Sequence, residues 1–275
     1  MRSLEFEIHC PENYHELLIY ELSQDTEISF LQSEHILKAY IPDHEKIKNR
    51  IVTVLSSYSN VIPDFSFNII PVREENWNKL WESNFEPVVL ANKYIIIAPF
   101  HHSYDQQYQS VLIQPEMAFG TGHHATTALM TDFLIQMNVK GKSIIDFGCG
   151  TGILSIISEK EGAGKILAID NDSRAVASAG KNIRLNHCNR ITVKKGTLQS
   201  IGNEKSDMIL ANITKNTILR YLKAMGNILN KDGSVICSGF RPEDFSDIEH
   251  SFQQHGFRLL EKAQKDGWGA AKFKI

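Results

Sequence analysis

The stretch Asp146-Phe147-Gly148-Cys149-Gly150-Thr151-Gly152 sets an acid and three glycines between an apolar run, Ser143 to Phe147, and a helical run from Ile153. Glycines in such a bend let the chain turn sharply and let a ligand approach with no Cβ in the way. A plain strand–helix turn would use the same residues, so glycines alone are a weak signal. Spacing and charge sharpen it. The pattern is Gly-x-Gly-x-Gly; the dinucleotide pattern Gly-x-Gly-x-x-Gly needs glycine where Ile153 stands. An acid at the strand end repels a pyrophosphate and attracts a sulfonium or an ammonium. The loop suits an adenosine with a positively charged amino-acid tail.

Three further positions join it. Asp170 ends the next apolar run about 20 residues on, where adenosine-binding α/β folds place an acid against both ribose hydroxyls. Asp172 is better placed as the cap of the following helix. Asn212 follows a fourth run, Ser206 to Ala211. Its amide can accept a hydrogen bond from an amine and cannot be protonated away, although a turn-capping asparagine would look the same. Upstream, Gln114 to Thr127 carries Phe119 beside Gly120 and Gly122, the composition of a flap. Phe119 would cover the site and exclude water. His123-His124 invites a metal, but no Cys or acid cluster with ligand spacing supports one. His101-His102 lies in a polar stretch and reads as solvated.

The elements that must position these residues alternate. Strands are expected at Ser143 to Phe147, Lys165 to Ile169, Ile191 to Lys194, Ser206 to Ala211 and Ser234 to Ser238, the last entered through an Asp232-Gly233 turn. Helices are expected at Ile153 to Glu161, Asp172 to about Asn186, Lys215 to about Leu229 and Pro242 to His255. Phe257 to Lys262 and Ala271 to Ile275 close the chain as a strand pair with no helix between them, so one is antiparallel. This predicts an α/β domain: a doubly wound, mostly parallel, seven-stranded sheet with right-handed crossovers.

The first third differs. Leu4, Phe6 and Ile8 alternate as in a strand, and Tyr14 to Leu22 has helical spacing. Glu27 to Gln32 and His35 to Ile41 read as a hairpin. Asp43 can cap a helix to about Tyr58, and Phe65, Phe67 and Ile69 alternate again. The order β-α-β-β-α-β suits a small α+β, ferredoxin-like domain. Residues 1–72 are assigned to it, 73–86 to a helical connector carrying Trp77 and Trp81, and 87–275 to the large domain. Val88 to Leu90 and Tyr94 to Ile97 read as a hairpin, and Pro99 to Gln109 as a loop.

Composition narrows the partners. The net charge of −3 gives no basic excess, so direct nucleic-acid binding is not expected. No run approaches the roughly 20 apolar residues that span a bilayer, and the N-terminus lacks the apolar core of a signal peptide. The four cysteines form no Cys-x-x-Cys pair. A cytoplasmic protein with reduced thiols is expected, with a monomer as the simplest state.

With these pieces together the chain resembles the bacterial ribosomal protein L-eleven methyltransferases (PrmA), class I S-adenosylmethionine-dependent enzymes of Rossmann-like fold. The resemblance rests on Glu75-Asn76-Trp77-Asn78-Lys79-Leu80-Trp81, Ala118-Phe119-Gly120-Thr121-Gly122, Thr126-Thr127, Ile145 to Leu154, Ile169-Asp170-Asn171-Asp172 and Ala211-Asn212-Ile213. It implies S-adenosyl-L-methionine as cofactor and a large-subunit ribosomal protein as substrate, methylated on its α-amine and on lysine side chains. It also implies an N-terminal domain that recognises this substrate. Cofactor contacts fall on Thr127, Asp146, Gly148, Gly150, Gly152, Asp170 and Asn212, with Asn212 and Phe119 at the reacting amine. Two departures stand out: Gln114-Pro115-Glu116 where the family usually has Asp-Pro-Gly, and His123-His124-Ala125 where it usually has Thr-His-Pro.

Other readings compete. A base-amino methyltransferase would carry Asn-Pro-Pro-aromatic, but Ile213-Thr214 follows Asn212 here. A nicotinamide dehydrogenase conflicts with the glycine spacing. A catalytically silent binding protein would keep the same fold.

Overall fold

The computed structural model describes residues 3–23, 28–72, 86–115, 120–202 and 204–275. Trp77, Trp81 and Phe119 lie outside them, as does all of the expected connector except Glu86. The chain divides into two compact units, Met1–Phe85 and Glu86–Ile275.

In the first unit the period-two pattern buries Leu4, Phe6 and Ile8 on one face of β1 (Ser3–His9). That strand pairs antiparallel with β3 (Ile36–Pro42) and with β4 (Ser66–Val72), and β2 (Ser29–Ser33) forms the far edge beside β3. The buried face packs with Leu18 and Leu22 of α1 (His15–Leu22) and Ile51 and Leu55 of α2 (Glu45–Tyr58). Asp43 does not cap α2. His44 takes the N-cap position, with no side-chain cap bond, because its own N–H closes a tight turn onto the Pro42 carbonyl and delays the helix start.

The second unit opens with the expected hairpin, β5 (Val88–Leu90) and β6 (Tyr94–Ile97), turning through Ala91 and Asn92 at φ +53° and +50°. A strand with no sequence signal follows: β7 (Gln109–Leu112) runs parallel to β6. Four residues in a polar stretch are too few to show a period.

The main sheet has the order β10-β9-β8-β11-β12-β14-β13. Its parallel strands are β8 (Ser143–Phe147), β9 (Lys165–Asp170), β10 (Ile191–Lys195), β11 (Ser206–Asn212) and β12 (Leu229–Phe240). The pair β13 (Arg258–Lys265) and β14 (Trp268–Lys274) is antiparallel, with β14 set against β12. Neighbouring residues on each strand serve opposite cores, as doubly wound strands require. Ile144, Ile166, Met208 and Ile236 pack with Met130 and Phe133 of α3 (Ala125–Gln136) and Ile157 of α4 (Ile153–Lys160). Ile145, Leu167, Ile209 and Val235 pack with Leu222 and Met225 of α6 (Lys215–Ile228) and Phe252 of α7 (Phe245–Gln254). The helix α5 (Ser173–Leu185) is capped by Asp172, whose carboxylate accepts the Arg174 N–H at 2.8 Å. The Asp232-Gly233 turn expected ahead of β12 lies inside it. Pairing between β11 and β12 starts at Leu229, and the register shifts between Ser206 and Met208, so the turn residues become an irregularity in the strand.

Candidate active site

The parallel register brings five strand ends to one edge: Phe147 beside Ile169, Lys195 beside Asp170, and Asn212 beside Ser238. The glycine loop leaves β8 there. The N–H groups of Gly148 and Cys149 both donate to the Ile169 carbonyl, at 2.8 and 3.1 Å. Gly148 has φ +76°, and a Cβ on it would come 2.3 Å from Cγ2 of Ile213, so glycine is required by the chain's own packing as well as by any ligand.

Loop and strands surround a cavity of about 470 Å³. Of the residues anticipated from the sequence, Thr127, Asp146, Gly148, Gly150, Asp170 and Asn212 line it. Gly152 does not. It faces α5, where a Cβ would sit 3.2 Å from that of Ala179, so its part is to let α4 and α5 approach.

Asp146 is 1% exposed and does more than flank the loop. Its Oδ2 accepts the Ser155 N–H at 3.1 Å and the Ser155 hydroxyl at 2.6 Å. The N-cap of α4 is Gly152, which has no side chain, so Asp146 satisfies a first-turn donor in its place. Burial pushes the Asp146 carboxyl up to about 6; the Ser155 bonds pull it down, and the nearby Asp170 charge adds to the rise. Asp170 accepts the Gly150 N–H through Oδ2 at 3.1 Å and the Asp172 N–H through Oδ1 at 3.0 Å. Each carboxylate oxygen carries a second lone pair, so both can still accept.

Two of the lining residues stand out. Thr127 Oγ1 and Asn212 Oδ1 are buried and make no hydrogen bond among the described residues. Leaving such a group unpaired costs about 1–3 kcal/mol. Thr127 sits in the first turn of α3, and Asn212 ends β11, where the next N–H, from Ile213, donates to the Ser238 carbonyl at 3.1 Å.

Sequence reasoning missed the opposite wall: Gly196 and Thr197 after β10, and Thr217, Arg220 and Tyr221 on α6. The spacing of the last three on one helical face was the available signal. Among the described residues no three His, Cys, Asp or Glu side chains form a metal-holding group. The two histidines that suggested one are engaged elsewhere. His123 Nε2 lies 2.9 Å from the Glu86 carbonyl, and His124 caps α3 through Nδ1 while its ring packs edge-on against Trp268.

Against known proteins, the family described as Ribosomal protein L11 methyltransferase (PrmA) matches residues 7–275. The chain belongs to that family. It is 33% identical to the Ribosomal protein L11 methyltransferase of Bacteroides thetaiotaomicron, with 99% of each chain covered. It is 35% identical to that of Porphyromonas gingivalis, covering 95% of this chain and 91% of the relative. A crystal structure of a ribosomal protein L11 methylase from Lactobacillus delbrueckii subsp. bulgaricus superposes with a TM-score of 0.65 at 27% identity, over 69% of this chain and 98% of the other. Of the positions where this PrmA-family chain departs from the usual pattern, Gln114 is held through its backbone and Glu116 lies outside the described residues. The Gln114 N–H donates to Asn182 Oδ1 at 2.9 Å, Pro115 is buried, and His124 supplies the α3 cap just ahead of Ala125.

Proposed function

We propose that this protein transfers methyl groups from S-adenosyl-L-methionine to amino groups of a large-subunit ribosomal protein, its α-amine and lysine side chains. The observation that carries the reading is the pair of buried oxygens, Thr127 Oγ1 and Asn212 Oδ1, unpaired among the described residues, on two residues that line the same cavity as Asp146 and Asp170. The donor set fits the cofactor. Asp170 has lone pairs for two ribose hydroxyls, Asp146 offers negative charge to a cationic amino-acid tail, and Thr127 can donate or accept. Gly148 and Gly150 let the cofactor approach the backbone.

When bound, S-adenosylmethionine supplies a methyl group on a good leaving group, so positioning gives most of the acceleration. The amine must arrive neutral. At pH 7 this costs roughly 4–5 kcal/mol for a lysine and about 1 for an α-amine. An amide oxygen is no base. Asn212 Oδ1 accepts one N–H of the neutral amine and so directs its lone pair, and the proton has already left to solvent. Exclusion of water, the role read for Phe119, favours that neutral form.

The four-stranded sheet of the first unit, ordered β2-β3-β1-β4 with two helical crossovers, supports a ferredoxin-like assignment. In this reading residues 1–72 recognise the protein substrate, 73–86 connect, and 87–275 catalyse. Among the described residues no helix is long and apolar enough to cross a membrane. Incubating the protein with purified large-subunit ribosomal proteins and methyl-labelled cofactor tests the function. Label on amino groups of one such protein is the expected result; label only on RNA, or none, contradicts it.

A further inference from the structure

Both described sides of the segment that holds Phe119 are tied to Thr151, which lies outside the cavity wall: Gly120 directly and Gln114 through Asn182. Thr151, fully buried in the glycine loop, donates its hydroxyl to the Gly120 carbonyl at 2.5 Å. The backbone carbonyl of the same Thr151 accepts from Asn182 Nδ2 at 2.9 Å, and Asn182 Oδ1 accepts the Gln114 N–H at 2.9 Å. Four residues on, Asn186 at the C-cap of α5 repeats the pattern, with its amide bonded to both the N–H and the carbonyl of Leu112 at 3.0 and 2.6 Å. Asn182 on α5 and Asn186 at its C-cap thus serve as a surrogate strand for residues 112–114. Gly120 lines the cavity, and neither Thr151 nor Asn182 does. Gly120 has φ +108°, and a Cβ there would come 2.7 Å from Thr151 Oγ1, so the contact depends on glycine.

We infer that Thr151 and Asn182 are positioning residues that tie Gln114 and Gly120 to the cofactor loop, so that occupancy of the loop and order at these two positions are one coupled equilibrium. The inference rests on the cofactor site proposed above. Thr151 in the loop and Asn182 on α5 are both buried and bonded to this segment, where a missing partner is costly, so a shift of the loop is transmitted to Gly120 and Gln114. Binding of a ligand to the loop then stiffens the wall against which the amine must be placed, and coupling of that kind runs in both directions.

Hydrogen exchange over residues 110–124, with and without S-adenosylhomocysteine, tests this in the wild type, Thr151→Val and Thr151→Ser. The wild type gains protection at Gln114 and around Gly120 on binding. In Thr151→Val that gain falls roughly tenfold while the affinity measured by calorimetry stays within about threefold, the scale of one lost hydrogen bond. Thr151→Ser keeps the hydroxyl and restores the gain. In turnover, Thr151→Val lowers kcat and leaves KM for the cofactor nearly unchanged, a split that a general loss of stability would not produce. An equal gain in Thr151→Val and wild type overturns the inference and leaves the cofactor site intact. Failure of the wild type to bind S-adenosylhomocysteine removes the site and the inference with it.

Discussion

The two ends of the central strands β8 and β11 carry one aspartate each, and the two are treated in opposite ways. At the amino end, Asp207 accepts the Ser143 N–H and hydroxyl, each at 2.8 Å, and the Asn230 amide at 2.7 Å. The Ser143 N–H does most to hold its carboxyl below the usual range. At the carboxyl end, among the described residues, Asp146 has Ser155 alone as donor and Thr127 and Asn212 keep unpaired oxygens, and burial pushes the Asp146 carboxyl up to about 6. One end is satisfied by the protein itself. The other leaves polar groups unpaired among the described residues, as functional sites commonly do, and under the proposed function a ligand with donors and positive charge completes it.

Substitutions at the two ends should separate stability from binding. The largest effect is expected from Asp170→Ala. It removes two charge-assisted acceptors for ribose and leaves the Gly150 and Asp172 N–H groups without their partner. Affinity for S-adenosylhomocysteine should fall at least about 100-fold in calorimetry. Asn212→Ala comes next. Turnover at saturating substrate should drop roughly 10- to 100-fold, with cofactor affinity changed only a few-fold, because the lost contact orients the amine. Asp207→Ala inverts the pattern. Denaturant titration should show a loss of about 2–3 kcal/mol, with cofactor affinity unaltered.

Acidity gives a smaller, signed contrast. Asp146 has a raised folded pKa, so its contribution to stability is full below the unfolded value and is lost as pH rises through about 6, a cost of about 3 kcal/mol. Asp207 has a lowered pKa, so its contribution is present above the ordinary carboxyl range and is lost as pH falls through the folded value. A cationic ligand favours ionised Asp146. Cofactor affinity should therefore fall roughly tenfold between pH 7.5 and pH 5, and Asp146→Asn should flatten that dependence. The smallest effect belongs to Thr127→Val. Removing an unpaired buried hydroxyl should leave the ligand-free melting temperature equal or slightly higher and weaken cofactor binding about threefold.

The contrast between the ends also marks how far sequence reasoning reached. The strand-turn-helix from Ser143 to Lys160 was legible because a short apolar run, three glycines and a helical period are all local. Asp170 and Asn212 were legible because the ends of parallel strands share one edge. The capping role of Asp146 was not, since its partner Ser155 is identified only once the loop is folded. β7 left no period to detect, and the cap of α2 moved from Asp43 to His44 through a turn that no single residue type signals. Thr151 and Asn182 were hidden by distance along the chain, although Asn182 left one trace: a polar amide among Ala175, Ala179 and Ile183 on the buried face of α5.

The central claim is that the unpaired groups at the carboxyl end of the sheet belong to a cofactor site. A crystal structure with S-adenosylhomocysteine tests it most directly. The account predicts the nucleoside in the cavity between β8, β9 and β11, both ribose hydroxyls within about 3.2 Å of the Asp170 carboxylate, and Thr127 Oγ1 newly paired. A nucleoside bound elsewhere, or bound there with Asp170 turned away from the sugar, would contradict it.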